Sequence, residues 1–191
     1  MSRLGVELIR VGAIAPSLVR QLREDAAVCL AHPVWVSDLE LPVADAFSRD
    51  RRQYSADTLL AALQQPTPAP GVRRIGVTDV DLYLPVFAHV LGSAQLDGIA
   101  GIASTFRLRP EFTGDAPDPY RLRLRLLKEV LHELGHTCGL VHCHLSWCVM
   151  SASLLPEHVD LKDPSYCAEC AERMGVPRDG ILSFFLKGDP S

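Results

Sequence analysis

The sequence predicts an α+β domain, and three observations support this class. Short apolar segments with strand-like patterns dominate the first half of the chain. A long amphipathic helix follows, and a short cysteine-rich segment comes after it. Because strands and this long helix occupy separate parts of the chain, we expect a twisted mixed sheet with helices packed against it.

The predicted elements follow the apolar periodicity along the chain. Strand patterns cover residues 6–11, 34–36, 74–80, 86–91 and 98–108. Helical periodicity covers residues 16–30 and 55–64. Asp118 and Pro119 predict the start of a third helix, as N-cap and first helical residue, and its apolar stripe continues to Cys138. A basic group early in this helix predicts a solvated face and consists of Arg121, Arg123, Arg125 and Lys128.

Length and composition predict a single domain, 1–191. The 191 residues, 48% of them hydrophobic, suffice for one full core. We divide the domain into an N-terminal subdomain of about residues 1–139 and a C-terminal subdomain of about residues 140–191. The net charge of −4 argues against a nucleic-acid partner, and neither a membrane helix nor a signal peptide is evident. We therefore expect a cytoplasmic protein, and we take it to be a monomer.

Residues 132–142 contain the pattern H-E-x-x-H-x-x-G-x-x-H, which is typical of a catalytic zinc site with three histidine ligands. On a helix, His132 and His136 lie on one face, four residues apart, and can bind one ion. His142 reaches the same ion only if the helix ends before it. Gly139 permits that end, because glycine readily adopts the left-handed conformation. The alternative is a buried helix with incidental histidines, which rarely shows the complete spacing.

Four cysteines in two close pairs predict a second, structural zinc site. The pairs have the spacings C-x4-C and C-x2-C and consist of Cys143, Cys148, Cys167 and Cys170. Two such pairs joined by a loop can supply the four thiolates of a tetrahedral zinc site. Two alternatives stay open: disulfides, and reduced thiols that are buried as small apolar side chains. Cys29 and Cys138 lie outside this set, and we expect both in the core.

Met150, shortly after the third histidine, completes a resemblance to a known family. The run from His132 to Met150, followed by C-x-x-C, resembles the archaemetzincins, which are metzincins with a methionine turn beneath the zinc. Residues 151–166 form a loop one residue shorter than in the family pattern, and residues 76–83 resemble a strand region of the family. The resemblance implies a zincin-like fold with an active-site helix and a short zinc-stapled C-terminal subdomain.

The expected function is the hydrolysis of peptide bonds, with zinc as the cofactor and two ions per chain. Three neutral imidazoles leave one zinc position to water, which Glu133 activates as general base. The resemblance implies a peptide or protein substrate, and the sequence leaves endopeptidase and aminopeptidase undecided. If residues 98–108 form the strand at the edge of the cleft, as in related metzincins, their main chain can pair with an extended substrate.

Two other classes of function compete with a peptidase. A non-hydrolytic zinc-binding or peptide-binding protein could use the same scaffold, although Glu133 would then have no role. A zinc deaminase requires P-C-x-x-C together with H-x-E, and Tyr166 occupies the position before Cys167 where proline is needed. The sequence therefore favours a zinc-dependent peptidase, with the non-hydrolytic protein as the alternative.

Overall fold

The computed structural model describes residues 4–177. The strands are β1 (Gly5–Val11), β2 (Val34–Leu41), β3 (Phe47–Ser48), β4 (Gln53–Ser55), β5 (Val72–Thr78), β6 (Leu82–Leu84), β7 (Phe87–Val90), β8 (Gly92–Ala94) and β9 (Ala100–Ser104). The helices are α1 (Pro16–Leu30), α2 (Ala56–Leu63), α3 (Pro119–Thr137), α4 (Pro156–Asp160) and α5 (Ala168–Met174). No helix within residues 4–177 has the length and apolar character needed to cross a membrane. Residues 1–3 and 178–191 of the predicted domain lie outside the described residues, and the division at about residue 139 stays a prediction.

A five-stranded sheet forms the centre of the fold, in the order β2-β1-β5-β9-β8. The strands β2, β1, β5 and β9 run parallel, whereas β8 pairs with β9 in the antiparallel direction. Parallel neighbours require a crossover, and α1 supplies the one between β1 and β2. This mixed sheet with packed helices confirms the predicted class, and it places β8 at one edge.

Apolar side chains cover both faces of this sheet. On one face, Val6 and Leu8 of β1 belong to the core formed with α1 and α3. On the other face, Ile9 and Val11 of the same strand pack with Leu63 of α2. A strand that is buried on both faces carries apolar side chains on both, which agrees with the apolar content of β1.

A second sheet of four short strands has the order β3-β4-β6-β7, and only β7 has a counterpart in the predicted elements. Its strands are two to four residues long, too short to show a periodicity of their own. The predicted strand 86–91 corresponds to β7, after which the chain leaves this sheet and joins the central one as β8. The predicted strand 98–108 shortens to β9, which ends at Ser104.

The long helix α3 carries the histidine pattern and begins where the sequence predicts. The Oδ1 atom of Asp118 accepts a hydrogen bond from the backbone N–H of Arg121 at 2.9 Å, and Pro119 follows in the first turn. The helix ends at Thr137, one residue before the predicted end, with Cys138 as C-cap. These caps fix the position of the last two turns, from which the first two histidines extend.

The predicted solvated face of α3 is wrong for two of its four basic residues. Arg125 and Lys128 are 2% and 4% exposed. Arg125 donates from Nε and Nη2 to the Asp160 carboxylate at 2.8 and 2.5 Å, and Lys128 Nζ donates to the Val159 carbonyl at 3.1 Å. A buried charge costs free energy unless it has polar partners, and both cations have them. Their bonds to Asp160 and Val159 attach α4 to α3.

Candidate active site and metal centres

Three histidines meet at the C-terminal end of α3. The Nε2 atoms of His132 and His136, one helical turn apart, are separated by 3.1 Å. The chain then turns at Gly139, which has a φ of 84°, and returns with His142. One ring nitrogen from each histidine lies within 4.8 Å of the other two. Nitrogen ligands on one tetrahedral zinc lie about 3.3 Å apart, so this cluster fits such an ion.

Hydrogen bonds fix the orientation of the two helical imidazoles. The Nδ1 atom of His132 donates to the Val149 carbonyl, and that of His136 donates to the Leu140 carbonyl, both at 2.8 Å. A carbonyl can only accept, so Nδ1 carries the proton and Nε2 keeps its lone pair for a metal. Burial lowers the pKa of His132 well below its usual value and also lowers the pKa of His136. Both rings are therefore neutral, as ligands must be.

The Glu133 carboxylate lies beside this cluster and is almost fully buried. Burial, with the nearby Glu129 carboxylate as a smaller cause, raises the pKa of Glu133 well above its usual value, and Lys162 opposes the shift. The backbone of β8 lies directly against the carboxylate. A Cβ added at Gly92 would lie 2.5 Å from Glu133 Oε1, so a side chain at this position would displace the carboxylate.

The four paired cysteines also come together. The sulfur atoms of Cys143, Cys148, Cys167 and Cys170 lie within 4.8 Å of one another. The Sγ atoms of Cys143 and Cys167 are 3.9 Å apart, close to the roughly 3.8 Å edge of a tetrahedral zinc–thiolate site and far from the roughly 2.05 Å of a disulfide. Burial alone would raise the pKa of Cys167, but hydrogen bonds from Cys170 and the neighbouring thiols lower it. Within residues 4–177 every cysteine is a free thiol, which favours the metal over the disulfide alternative.

The remaining two cysteines take no part in this cluster. Cys29 is buried in the core between α1 and α3, as predicted, and burial raises the pKa of its thiol to about 12. Cys138, at the end of α3, is only half-buried. The prediction that both cysteines lie in the core is therefore confirmed for Cys29 and only partly for Cys138.

Met150 lies beneath the histidine cluster and is fully buried. A Cβ added at Gly135 would collide with the Met150 sulfur, so the methionine packs directly on the backbone of α3. The backbone N–H of Cys143 donates to the Met150 carbonyl at 2.9 Å. This contact ties the segment that follows the third histidine to the methionine turn.

The histidines and Glu133 line a cavity of about 410 Å³. Strands β7 and β8 form one wall, and Leu154, which follows the methionine turn, belongs to another. The Nε2 atom of His89 in β7 donates to the Leu154 carbonyl at 3.2 Å and so joins the two walls. The cavity can hold a side chain of an extended ligand beside the histidine cluster.

A family model for peptidase family M54 matches residues 42–175, which include both clusters and Met150. The chain belongs to peptidase family M54. The archaemetzincin of Methanocaldococcus jannaschii is 40% identical over 136 residues, covering 71% of this chain and 73% of the relative. The archaemetzincin of Aeropyrum pernix is 35% identical over 166 residues, covering 85% of this chain and 87% of the relative. The resemblance to the archaemetzincins is therefore confirmed.

Solved structures agree with this assignment. A zinc-dependent peptidase from Methanocorpusculum labreanum matches this chain with a TM-score of 0.78 at 28% identity. The match covers 89% of this chain and 100% of the chain of that peptidase. The archaemetzincin of Methanopyrus kandleri matches with a TM-score of 0.76 at 33% identity, and the match covers 91% of this chain and 94% of that archaemetzincin's chain. The M54 chain is a zinc metallopeptidase with the predicted zincin-like fold.

The edge of the sheet in this M54 enzyme differs from the sequence prediction. Residues 98–108 were expected to edge the cleft, but β9 lies inside the sheet, between β5 and β8. The edge strand is β8, whose residues Gly92–Ala94 line the cavity. The expectation for residues 98–108 came from the resemblance to related metzincins, and the three residues of β8 are too few to show a periodicity of their own.

Two charged residues of the site were missed by the sequence analysis. Glu129 lines the cavity, and Lys162 Nζ lies 3.6 Å from its Oε1 atom. Burial is the largest cause of a raised pKa in Glu129 and of a lowered pKa in Lys162. Glu129 lies four residues before Glu133 on one face of α3, a spacing that could have revealed it. No local pattern around Lys162 indicates burial, because its partners are distant in sequence.

Proposed function

We propose that the chain hydrolyses peptide bonds at the centre formed by His132, His136 and His142, with Glu133 as general base. The observation that supports this most is that one cavity contains both the cluster of neutral imidazoles and the buried carboxylate. Amide hydrolysis needs both an electrophile and a proton carrier beside the substrate carbonyl. The last turns of α3 offer groups for both tasks.

The chain's own groups each have a task in this proposal. The three histidines would hold a zinc ion, which would supply an electrophile able to acidify water and polarise the substrate carbonyl. The hydrogen bonds to Val149 and Leu140 keep Nε2 of His132 and His136 directed at the metal position. Glu133, whose burial favours proton uptake, accepts the proton of the attacking water and delivers it to the leaving amine.

The substrate main chain pairs with β8 in our proposal. This strand ends the central sheet within residues 4–177, and its backbone approaches Glu133 at Gly92. An extended peptide added there gains main-chain hydrogen bonds and places a peptide bond beside the carboxylate. Main-chain pairing is insensitive to side-chain identity, so discrimination among peptides has to come from the cavity.

A second zinc, held by the four paired cysteines, has a structural role in the proposal. The cluster is buried except for the half-buried Cys143, so four thiolates close the site and leave no position for substrate. Thiolate ligands persist in reducing compartments, which agrees with the expected cytoplasmic location. We propose that the enzyme acts there as a monomer on peptides or proteins.

Cleavage of a quenched fluorescent peptide library by the zinc-loaded protein tests the proposed function. We expect cleavage that stops when a chelator removes the metal and returns when zinc is added. Comparing peptides with free and blocked N-termini then separates an aminopeptidase from an endopeptidase. Peptide binding without any cleavage would instead support the non-hydrolytic alternative.

A further inference from the structure

The cavity contains a buried carboxylate that the proposed reaction does not use. Glu129, one helical turn before Glu133 on α3, lines the cavity, and its side chain is 3% exposed. Its Oε1 atom has no hydrogen-bond partner among residues 4–177. This oxygen is closed to solvent, so a donor in the cavity reaches it only when the Glu129 side chain rotates, and the buried acceptor then gains free energy.

The nearby cations leave this carboxylate able to accept hydrogen bonds. Lys162 Nζ is 3.6 Å from Glu129 Oε1, beyond hydrogen-bond distance, and lies equally near Nδ1 of His132, at 3.5 Å. Lys128 directs its Nζ atom to the Val159 carbonyl instead. The two oxygens of a carboxyl group together offer several acceptor positions, so the contact with Lys162 does not exhaust them.

Apolar side chains surround the path to this carboxylate. They line the same cavity as Glu129, come from β6, β7, the residue before β8 and the segment after the methionine turn, and include Leu84, Phe87, Val90, Leu91 and Leu154. A ligand side chain that enters must therefore have an apolar stem, and it gains most if its tip donates to Glu129. Lysine has this form, since a four-carbon stem packs on apolar surface and carries three donors at its end.

We propose that Glu129 is a specificity-determining residue and that the enzyme prefers peptides with a basic side chain, lysine above all, beside the cleaved bond. This inference rests on the proposed peptidase function and names its substrate class. A charged donor is favoured over a neutral one because charge-assisted hydrogen bonds are roughly twice as strong as neutral ones. An acidic side chain would meet the Glu129 carboxylate and is disfavoured.

Matched peptides provide the first test. One parent sequence is prepared with lysine, norleucine, glutamine or glutamate at each position flanking the cleaved bond, where norleucine keeps the stem and lacks the ammonium group. At one of the two positions, the lysine peptide should have a kcat/KM at least about tenfold above the norleucine peptide. Equal or better cleavage of the norleucine peptide at both positions would overturn the inference while leaving the peptidase function intact.

Variants provide the second test. Glu129→Gln should bring the lysine-to-norleucine ratio close to one, mainly through a higher KM for the lysine peptide, with zinc content preserved. Because Glu129 also raises the pKa of Glu133, the rates for both peptides change together, and only their ratio tests the inference. Glu111→Gln, which changes an exposed glutamate outside the cavity, is the matched control and should keep the wild-type ratio. Glu129→Gln leaves the buried Lys162 ammonium without its carboxylate partner, and the protein then has a reason to misfold. In that case the double variant Glu129→Gln/Lys162→Met removes both charges together. A lysine preference that survives in these variants would overturn the role of Glu129.

A binding measurement separates this inference from the reaction itself. Calorimetry with zinc-loaded Glu133→Gln protein should show tighter binding of the lysine peptide than of the norleucine peptide, even though no bond is cleaved. Equal binding of the two peptides would contradict the inference whether or not the wild-type protein proves to be a peptidase. Absence of wild-type cleavage together with a retained lysine preference in binding would contradict the proposed function alone.

Discussion

His142 and Cys143 are neighbours in the chain, yet the first belongs to the histidine cluster and the second to the cysteine cluster. One trans peptide unit, with about 3.8 Å between its Cα atoms, therefore joins the two candidate metal sites. The Cys143 N–H is in turn bonded to the Met150 carbonyl, beneath the histidines. A change at the cysteine site should consequently reach the histidine site without touching any of its ligands.

Cys170→Ser should reveal this coupling. We expect loss of the second zinc, a fall in the free energy of unfolding of more than about 4 kcal/mol, and roughly tenfold or greater weakening of zinc at the histidine site. The physical reason is that a bound zinc ion no longer holds the segment from His142 to Met150 in place. Zinc stoichiometry and competition with a chromogenic chelator measure both effects.

Cys29→Ser is the matched control for that experiment. The residue is equally a buried cysteine, but it belongs to α1 and lies outside the cysteine cluster. It should keep both zinc ions and lose only the stability of a small core residue. Normal affinity at the histidine site in a Cys170→Ser protein with one zinc would disprove the coupling.

Metal removal should occur in two steps. We expect two zinc ions per chain, with the histidine site losing its ion first because its third ligand, His142, is exposed and the cysteine site is largely buried. A mild chelator should abolish peptide hydrolysis after one equivalent, while far-ultraviolet circular dichroism stays close to native. Elemental analysis that finds a single zinc in fully metallated protein would refute the second site.

Glu133→Gln should separate catalysis from metal binding. Glutamine is nearly isosteric with glutamate and cannot accept a proton from water, so kcat should fall by at least about 10²-fold. Both zinc ions and the melting temperature should stay near wild-type values, because the residue is not among the clustered ligands. Unchanged turnover would show that another group serves as the base.

Gly135→Ala should destabilise the protein through Met150. The added methyl group meets the Met150 sulfur, and overpacking of this kind costs about 1–3 kcal/mol. In a Met150→Ala background the same change should become neutral or stabilising, because alanine favours helix over glycine by about 1 kcal/mol. Urea denaturation of the four proteins measures the coupling, and additive effects would argue against the direct contact.

The Cys29 thiol should be chemically inert in the folded protein. Burial raises its pKa to about 12, so at pH 8 only about one molecule in 10⁴ carries the reactive thiolate. Mass spectrometry after iodoacetamide treatment at pH 8 should show Cys29 unmodified in native protein and modified after denaturation. Rapid labelling of the native protein at this residue would show that α1 opens or packs differently.

The histidine and cysteine clusters were predictable because their geometry is mostly local. His132 and His136 share one helical face, and the turn at Gly139 follows from a conformation that glycine adopts easily. The cysteine pairs have spacings that metals commonly require. Within the histidine cluster and within each cysteine pair, a short stretch of chain determines which atoms can meet. The meeting of the two cysteine pairs depends on the tertiary fold, because Cys143 and Cys167 lie 24 residues apart.

The remaining features depend on contacts between distant segments. The burial of Arg125 requires Asp160, 35 residues later in the chain, and the burial of Lys162 requires Glu129, in the middle of α3. The position of β8 at the sheet edge depends on which strands pair, and no single segment encodes that order. Sequence patterns therefore did not reveal that two of the four basic residues of α3 are buried, or that β8 rather than β9 lies at the sheet edge.

The edge strand β8 has only three residues, Gly92–Ala94. An open sheet edge that admits a substrate also admits a strand from another copy of the protein, which is a common start of aggregation. Three residues can form few hydrogen bonds with such a strand, so self-association through β8 gains little free energy. The shortness of β8 thus disfavours self-association through this edge, whereas the peptide of our proposal also gains contacts in the cavity beside the strand.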